Sequence, residues 1–313
     1  MREHTDHLNL ADQAKKLAQM SYLPKWYLKN VVGGAHKPLV TVLFLTDYCN
    51  LRCKHCAEEG HAGTTMKSWK QIKEELQYAY GEGARFVDLE GGEPTLWREG
   101  EKGINDVIDL AKEIGFFSVT VTTNGQRPFD DLKADSIWVS VDGYRSYHDE
   151  VRGEGAFAKL NKHIKSAGHD ALSINMAVNR LNYRSVADVI RFGQAHPGIK
   201  SVSINFHTPY PGPEDLMLDT ATKNRVIDLV IAMKKHGYSI MNSVSGLNRM
   251  RDPHFKKYCW ISNFILTDGT RLTECPGKTL GICDHCGFSM AGEMYSVVHF
   301  KPDTLLAGIN LRV

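Results

Sequence analysis

The sequence predicts an α/β chain: an incomplete (β/α)6 TIM-like barrel followed by a small C-terminal β-hairpin region. Three observations predict it. Short apolar runs rich in β-branched residues recur at 39–46, 86–90, 118–123, 136–141, 172–178 and 201–206. Helix-like stretches lie between most of them, around 67–80, 101–114, 157–167, 183–195 and 220–236. Polar and glycine-rich residues gather just after the strands, where α/β folds carry their working face. Strand–helix alternation means parallel strands joined by right-handed crossovers. Six such units suit an open barrel better than a closed eight-stranded one.

Ahead of the barrel, residues 1–38 read as a helical arm. Its apolar positions include Leu8, Leu10, Ala14, Leu17 and Ala18, with a break expected at Pro24 and an end at Gly33-Gly34. The barrel takes residues 39–250. Over 251–313 the pattern changes. Residues 259–275 read as a hairpin around an Asp268-Gly269 turn, followed by a short cysteine loop and a tail.

Composition narrows the function classes. A net charge of +2 gives no electrostatic case for nucleic acid. No apolar run reaches the roughly 18 residues that a membrane span needs, and the first residues hold no apolar signal core. A cytoplasmic, reducing location is the expectation. There, seven cysteines are metal ligands or nucleophiles sooner than disulfides.

Three of these cysteines, Cys49, Cys53 and Cys56, stand in the loop straight after the first strand, spaced C-x3-C-x2-C. Cysteine thiolates hold iron–sulfur clusters. Three thiolates on a cubane cluster leave one iron open to a small chelating molecule. A zinc site is the alternative, with His55 or His61 as fourth ligand. Further along, Gly91-Gly92-Glu93-Pro94 follows the second strand, and Ser140-Val141-Asp142-Gly143 ends the fourth. In this order the three motifs resemble the radical S-adenosylmethionine (SAM) superfamily over about residues 39–210. The resemblance implies a partial barrel that reductively cleaves SAM to a 5′-deoxyadenosyl radical, which removes hydrogen from a substrate or adds to it. One departure is His55, where the family usually has an aromatic residue; imidazole can still stack on adenine.

The remaining expectations concern the SAM pocket and what surrounds it. Gly91 and Gly92 let backbone approach a ligand closely, and Glu93 offers a carboxylate or carbonyl to an ammonium group. By resemblance the Gly91–Pro94 turn binds the methionyl amine. Asn124, Ser140 and Asp142 are candidates for ribose hydroxyls, and Arg152 for the methionyl carboxylate; a turn role, or a solvated surface arginine, is the alternative. Cys259, Cys275, Cys283 and Cys286 suffice for one fully ligated cluster, or for one zinc. Their hairpin-then-C-x2-C arrangement resembles the "twitch" half of the SPASM domain, implying an auxiliary 4Fe–4S cluster. The Cys283–Phe288 stretch and the basic arm also resemble adenosylhopane synthase-type proteins. That likeness implies a lipid-like substrate met at a membrane surface; an arm packed on the barrel bottom is the alternative. After the sixth strand, His207 and Tyr210 are candidates for substrate contact or proton transfer. The expected protein is a radical SAM enzyme with two 4Fe–4S clusters. It takes electrons from a reductant such as flavodoxin or ferredoxin and acts on a small molecule, lipid or peptide. A two-zinc scaffold is the competing class.

Overall fold

A computed structural model describes residues 10–56, 64–210 and 216–312. Its strands are β1 (Val40–Phe44), β2 (Phe86–Glu90), β3 (Ser118–Thr123), β4 (Ser136–Ser140), β5 (Leu172–Val178), β6 (Ile199–Phe206), β7 (Ser262–Ile265) and β8 (Arg271–Leu272). They form one sheet in the order β6-β5-β4-β3-β2-β1-β7-β8, an open rather than closed barrel. Every neighbouring pair is parallel except β7 and β8.

Alternation along the strands sorts side chains between two layers. Val87 and Leu89 of β2, Val119 and Val121 of β3, Ile137 and Val139 of β4, and Ile174 and Met176 of β5 all enter the buried hydrophobic core. They pack under the crossover helices α2 (Trp69–Glu82), α3 (Ile104–Ile114), α4 (Ser146–Arg152), α5 (Ala156–Ser166) and α6 (Val186–Ala195). The alternate positions turn to the barrel interior, and most of these are polar: Asp88 and Glu90, Thr120 and Thr122, Ser173 and Asn175. Helix starts follow local chemistry. Ser68 opens α2 with a reciprocal capping box, its hydroxyl accepting from Gln71 N while Gln71 Oε1 accepts from Ser68 N at 2.8 Å.

Two expectations change. The helix α1 (Leu10–Tyr27) runs through Pro24 and passes into a π-helical turn over Leu28–Val32, so the chain does not break at the proline. A proline removes one helix hydrogen bond, and contacts beyond the helix hold it in place. Tyr22 donates to Gly83 O at 2.6 Å, Trp26 Nε1 to Lys37 O at 3.1 Å, and Trp26 stacks on Trp260. Those partners precede β2, β1 and β7, so the described part of the arm lies on the barrel bottom. Second, the 259–275 segment is more than a local hairpin. Only Phe264 to Ile265 pair with β8, while all of β7 runs parallel to β1, Val40 opposite Ser262, extending the barrel sheet.

The remaining helices are α7 (Thr220–Lys235), α8 (Val244–Arg249), α9 (Pro276–Thr279), α10 (Ser289–Val298) and α11 (Pro302–Arg312). Among the described residues no helix is long and apolar enough to cross a membrane. The C-terminal segment is stitched to the loop after β6. Phe206 N donates to Gly287 O, Gly287 N to Thr208 Oγ1, and Ser289 N to Asn205 Oδ1, each at 2.8–2.9 Å.

Candidate functional site

At the carboxyl ends of β1 to β4 lies a cavity of about 160 Å³. Cys49, Cys53 and Cys56 form one side of it, with His55 beside them; Gly91, Gly92 and Glu93 form another, and Asn124, Ser140 and Arg152 close it. The sequence placed these residues on five separate stretches, and the fold brings them to one wall. His61 lies outside the described residues.

Backbone bonds build the junction between the cysteine loop and the glycine turn. Gly92 N donates to Thr46 O at 2.7 Å and Glu93 N to Tyr48 O at 2.9 Å. A β-carbon at Gly91 would stand 2.3 Å from Thr46 O, and one at Gly92 would stand 2.4 Å from Tyr48 O. Gly91 also sits at φ +139°, where L side chains are strained. No other residue type allows this approach.

The polar candidates divide by where their atoms are spent. Glu93 has its carboxylate turned into the protein. Oε1 accepts from the Thr95 and Thr123 hydroxyls at 2.6 and 2.8 Å, and Oε2 from Asn124 N at 2.7 Å. Of the two groups expected to meet an ammonium, this leaves the backbone carbonyls of the turn. Pro94 is buried as the first residue of a 3-10 turn and is not on the cavity wall. Asn124 reaches across to the cysteine loop, donating to Asn50 Oδ1 at 2.8 Å and lying 3.7 Å from Cys49 Sγ.

Asp142 departs furthest from expectation. It stands behind the wall, fully buried, and its carboxylate serves the protein rather than a ribose. Oδ1 accepts from Ala177 N at 2.7 Å; Oδ2 takes Arg152 Nε at 2.6 Å and lies 3.4 Å from His55 Nε2. Burial pushes this acid up, but Arg152 and His55 outweigh it and hold the group below the usual carboxylate range. Arg152 is thus no solvated surface arginine. Its guanidinium is paired, and Nη1 lies 3.8 Å from Cys53 Sγ. Burial pushes His55 down to about 4, so the ring is neutral at pH 7. His148, also lowered to about 4 by burial, accepts from Asp142 N at 3.1 Å. Sequence reasoning missed its part in this network; four residues before Arg152, it has no partner visible in the sequence.

The second cysteine group assembles beside the barrel mouth. Cys259 is pushed up to about 12, by burial first and then by Cys275, Cys286 and Cys283, so the other three thiols lie within electrostatic reach of it. In the first group, burial leads in raising Cys53 to about 11, with Cys56 and Cys49 adding to it against Arg152. Thiolates that crowd one another in a buried place call for a cation among them. Tyr210 joins this second group: its hydroxyl lies 3.4 Å from Cys275 Sγ, and its ring meets Phe288 edge-on. His207 is on the other side, its ring 6.5 Å from that of His55 and its backbone N donating to Val178 O. The two substrate candidates are therefore separated, one toward each cysteine group.

An open parallel barrel with three cysteines after β1 and a glycine turn after β2 defines a class that binds a cofactor at the strand ends. Residues 43–193 match the Radical SAM superfamily, and the chain carries a radical SAM domain. It is 31% identical over 179 residues to a Sulfolobus acidocaldarius protein described as "Probable GTP 3′,8-cyclase", covering 54% of this chain and 55% of that one. It is 28% identical over 200 residues to the Bacillus subtilis sporulation killing factor maturation protein SkfB, covering 55% and 48%. The chain thus spans about half the length of these curated relatives. In fold it resembles Streptococcus suis SuiB bound to precursor peptide SuiA, with a TM-score of 0.62 at 18% identity over all of this chain and 74% of that one. It also resembles anSMEcpe with bound AdoMet and a peptide, with a TM-score of 0.58 at 15% identity over 88% and 84%.

Proposed function

We propose that this chain is a radical SAM enzyme that removes a hydrogen atom from a peptide substrate, with a second iron–sulfur cluster on Cys259, Cys275, Cys283 and Cys286. The carrying observation is the cavity that Cys49, Cys53 and Cys56 share with the Gly91–Gly92 backbone. Three thiols there face a ligand-sized space with no fourth cysteine, the donor set for a cubane cluster with one open iron. The peptide reading draws on SkfB, a sporulation killing factor maturation protein, and on SuiB and anSMEcpe, both with a peptide bound. The likeness to SuiB reaches through the C-terminal cysteine segment, whereas the cyclase match covers about half the chain.

When bound, the cluster and SAM together supply an electron and a 5′-deoxyadenosyl radical. The chain's own residues do the rest. Gly91 and Gly92 present backbone carbonyls to the methionyl ammonium. Asp142 fixes Arg152 at the cavity edge, where the guanidinium is placed for a carboxylate. Neutral His55 offers a flat ring for adenine, and Ser140 a hydroxyl for the ribose. Anaerobically reconstituted, dithionite-reduced protein is expected to turn SAM into 5′-deoxyadenosine and methionine, read by chromatography. Absence of deoxyadenosine, even with cell extract as a substrate source, overturns the reading.

The glycine turn yields a sharper expectation. In Gly92→Ala the new methyl must push away Tyr48 O and Asp47 O, at 2.4 and 2.6 Å, and these belong to the loop that carries Cys49. SAM affinity, measured by equilibrium dialysis, should fall about tenfold or more, a loss of about 1.4 kcal/mol or above. A variant that binds SAM as the parent does would mean the turn does not contact the cofactor.

A further inference from the structure

One acid on the cavity wall has no part in the scheme above. Glu90 is the last residue of β2, directly before the glycine turn, and it lines the same cavity as the three cysteines. Its neighbours by strand register are Phe44 on β1 and, through Leu89 opposite Val121, the end of β3. Among the described residues the one hydrogen bond to its carboxylate comes from Thr122 Oγ1, a long one at 3.4 Å. This is the reverse of Glu93, three residues on, whose carboxylate accepts four. Glu90 is half-buried and open to the cavity, and a carboxylate withdrawn this far from water normally has a cation or several donors. Among the described residues the one cation on this wall, Arg152, is engaged by Asp142.

The surroundings suit a charged guest. The barrel interior next to Glu90 carries Asp88 below it on β2 and Thr120 and Thr122 on β3, with Trp138 of β4 in register beside Thr122. By register Asp88, Thr120, Thr122 and Trp138 share the inner face of the sheet with Glu90, so the groups next to it are mostly polar, which suits an ammonium better than an apolar group. Burial, reinforced by Asp88, pushes Glu90 up to about 7, and no cationic side chain contributes to its shift. A cation entering the cavity would supply what the carboxylate lacks.

We propose that Glu90 anchors the substrate by taking a cationic group, a primary ammonium or a guanidinium, in the barrel interior beside the SAM site. In a peptide substrate this group is a lysine or arginine side chain. The proposal rests on the hydrogen-abstraction reading above for its purpose, but its test is one of binding.

The test uses reconstituted, SAM-saturated holoprotein and equilibrium dialysis under anaerobic conditions. The probes are acetyl-Gly-Lys-Gly-amide against its norleucine counterpart, acetyl-Gly-Arg-Gly-amide, and n-butylammonium against n-butanol. The lysine or arginine peptide should bind about tenfold or more tightly than the norleucine peptide, and butylammonium should show the same preference over butanol. Glu90→Gln should erase both preferences. Discrimination by butylammonium alone upholds Glu90 and counts against the peptide reading. Equal binding of charged and neutral probes by the wild-type protein overturns the proposal without any variant having to fold, and deoxyadenosine formation then still reports on the SAM-cleavage reading separately. A Glu90→Gln protein that keeps the charge preference, or one whose main defect is weakened SAM binding, also overturns it; the second result would assign Glu90 to the cofactor's ammonium.

Discussion

Replacing Cys49, Cys53 and Cys56 together by alanine is expected to lower the iron of anaerobically reconstituted protein from about eight atoms per chain to about four, with deoxyadenosine formation abolished. The reason is that the two cysteine groups are separate. Cys53 is influenced by Cys56, Cys49, Arg152 and Asp142, whereas Cys259 is influenced by Cys275, Cys286, Cys283 and Glu274. Neither group contains a residue of the other. The second group is held by its own attachments, Gly287 to Phe206 and Thr208, and Ser289 to Asn205. These do not pass through the loop after β1, so removing the first thiols should leave the second set in place. Iron and acid-labile sulfide are measured on parent and variant side by side. Full iron content in the triple variant would refute the assignment of the first group. Zinc without sulfide in the parent would return the protein to the competing scaffold class.

The barrel was legible because its signal is local and repeated. Each of the six strand runs is a short apolar stretch, and each motif follows one, so order along the chain mirrors position around the mouth. The strand β7 was not legible in the same way. Asp268-Gly269 announces a turn between neighbours in sequence, and the turn forms: Leu266 N donates to Thr270 O at 2.9 Å. Pairing of Ser262–Ile265 with Val40–Leu43, more than two hundred residues away in sequence, leaves no mark on the local pattern.

The candidate site shows the same limit at finer scale. Cysteines and glycines were found because spacing and the absence of a side chain are visible in a string. Which way a carboxylate turns is not. Glu93 and Asp142 look like ligands for a cofactor in sequence, and both spend their oxygens on the protein. Glu90 carried a readable signal that went unused. In Phe86-Val-Asp-Leu-Glu90 the apolar residues 87 and 89 alternate with acids at 88 and 90, which places both acids on the inner face of the strand.

Asp142→Ala is expected to destabilise the protein by about 3–5 kcal/mol at pH 7, because it strands the buried Arg152 guanidinium. The carboxylate joins three elements: Arg152 at the end of α4, Ala177 of β5, and His55 in the cysteine loop. Lys54 N also donates to Val151 O, so a shift of α4 carries the loop with it. Asp142→Asn keeps one acceptor oxygen, for Arg152 or for Ala177 but not for both, and should still cost less than alanine, about 1–3 kcal/mol. The double change Asp142→Ala with Arg152→Met removes both charges and should recover much of the loss, since an apolar replacement of a buried pair is close to neutral. The pH dependence has a fixed sign. Asp142 titrates lower in the folded protein than in the unfolded chain, so its contribution is complete above the ordinary aspartate value near about 3.9. It fades only as pH falls through the lower folded value. His55 and His148, lowered to about 4 by burial, weaken the wild-type fold earlier, as pH falls from about 6.5 toward 4. Urea unfolding of the reconstituted protein across this range should therefore show the wild type losing stability first through its histidines. The stability that the Asp142 carboxylate itself supplies should go only in stronger acid. An Asp142→Ala protein as stable as the parent at pH 7 would show that Arg152 finds another partner and that the network does not hold the cysteine loop.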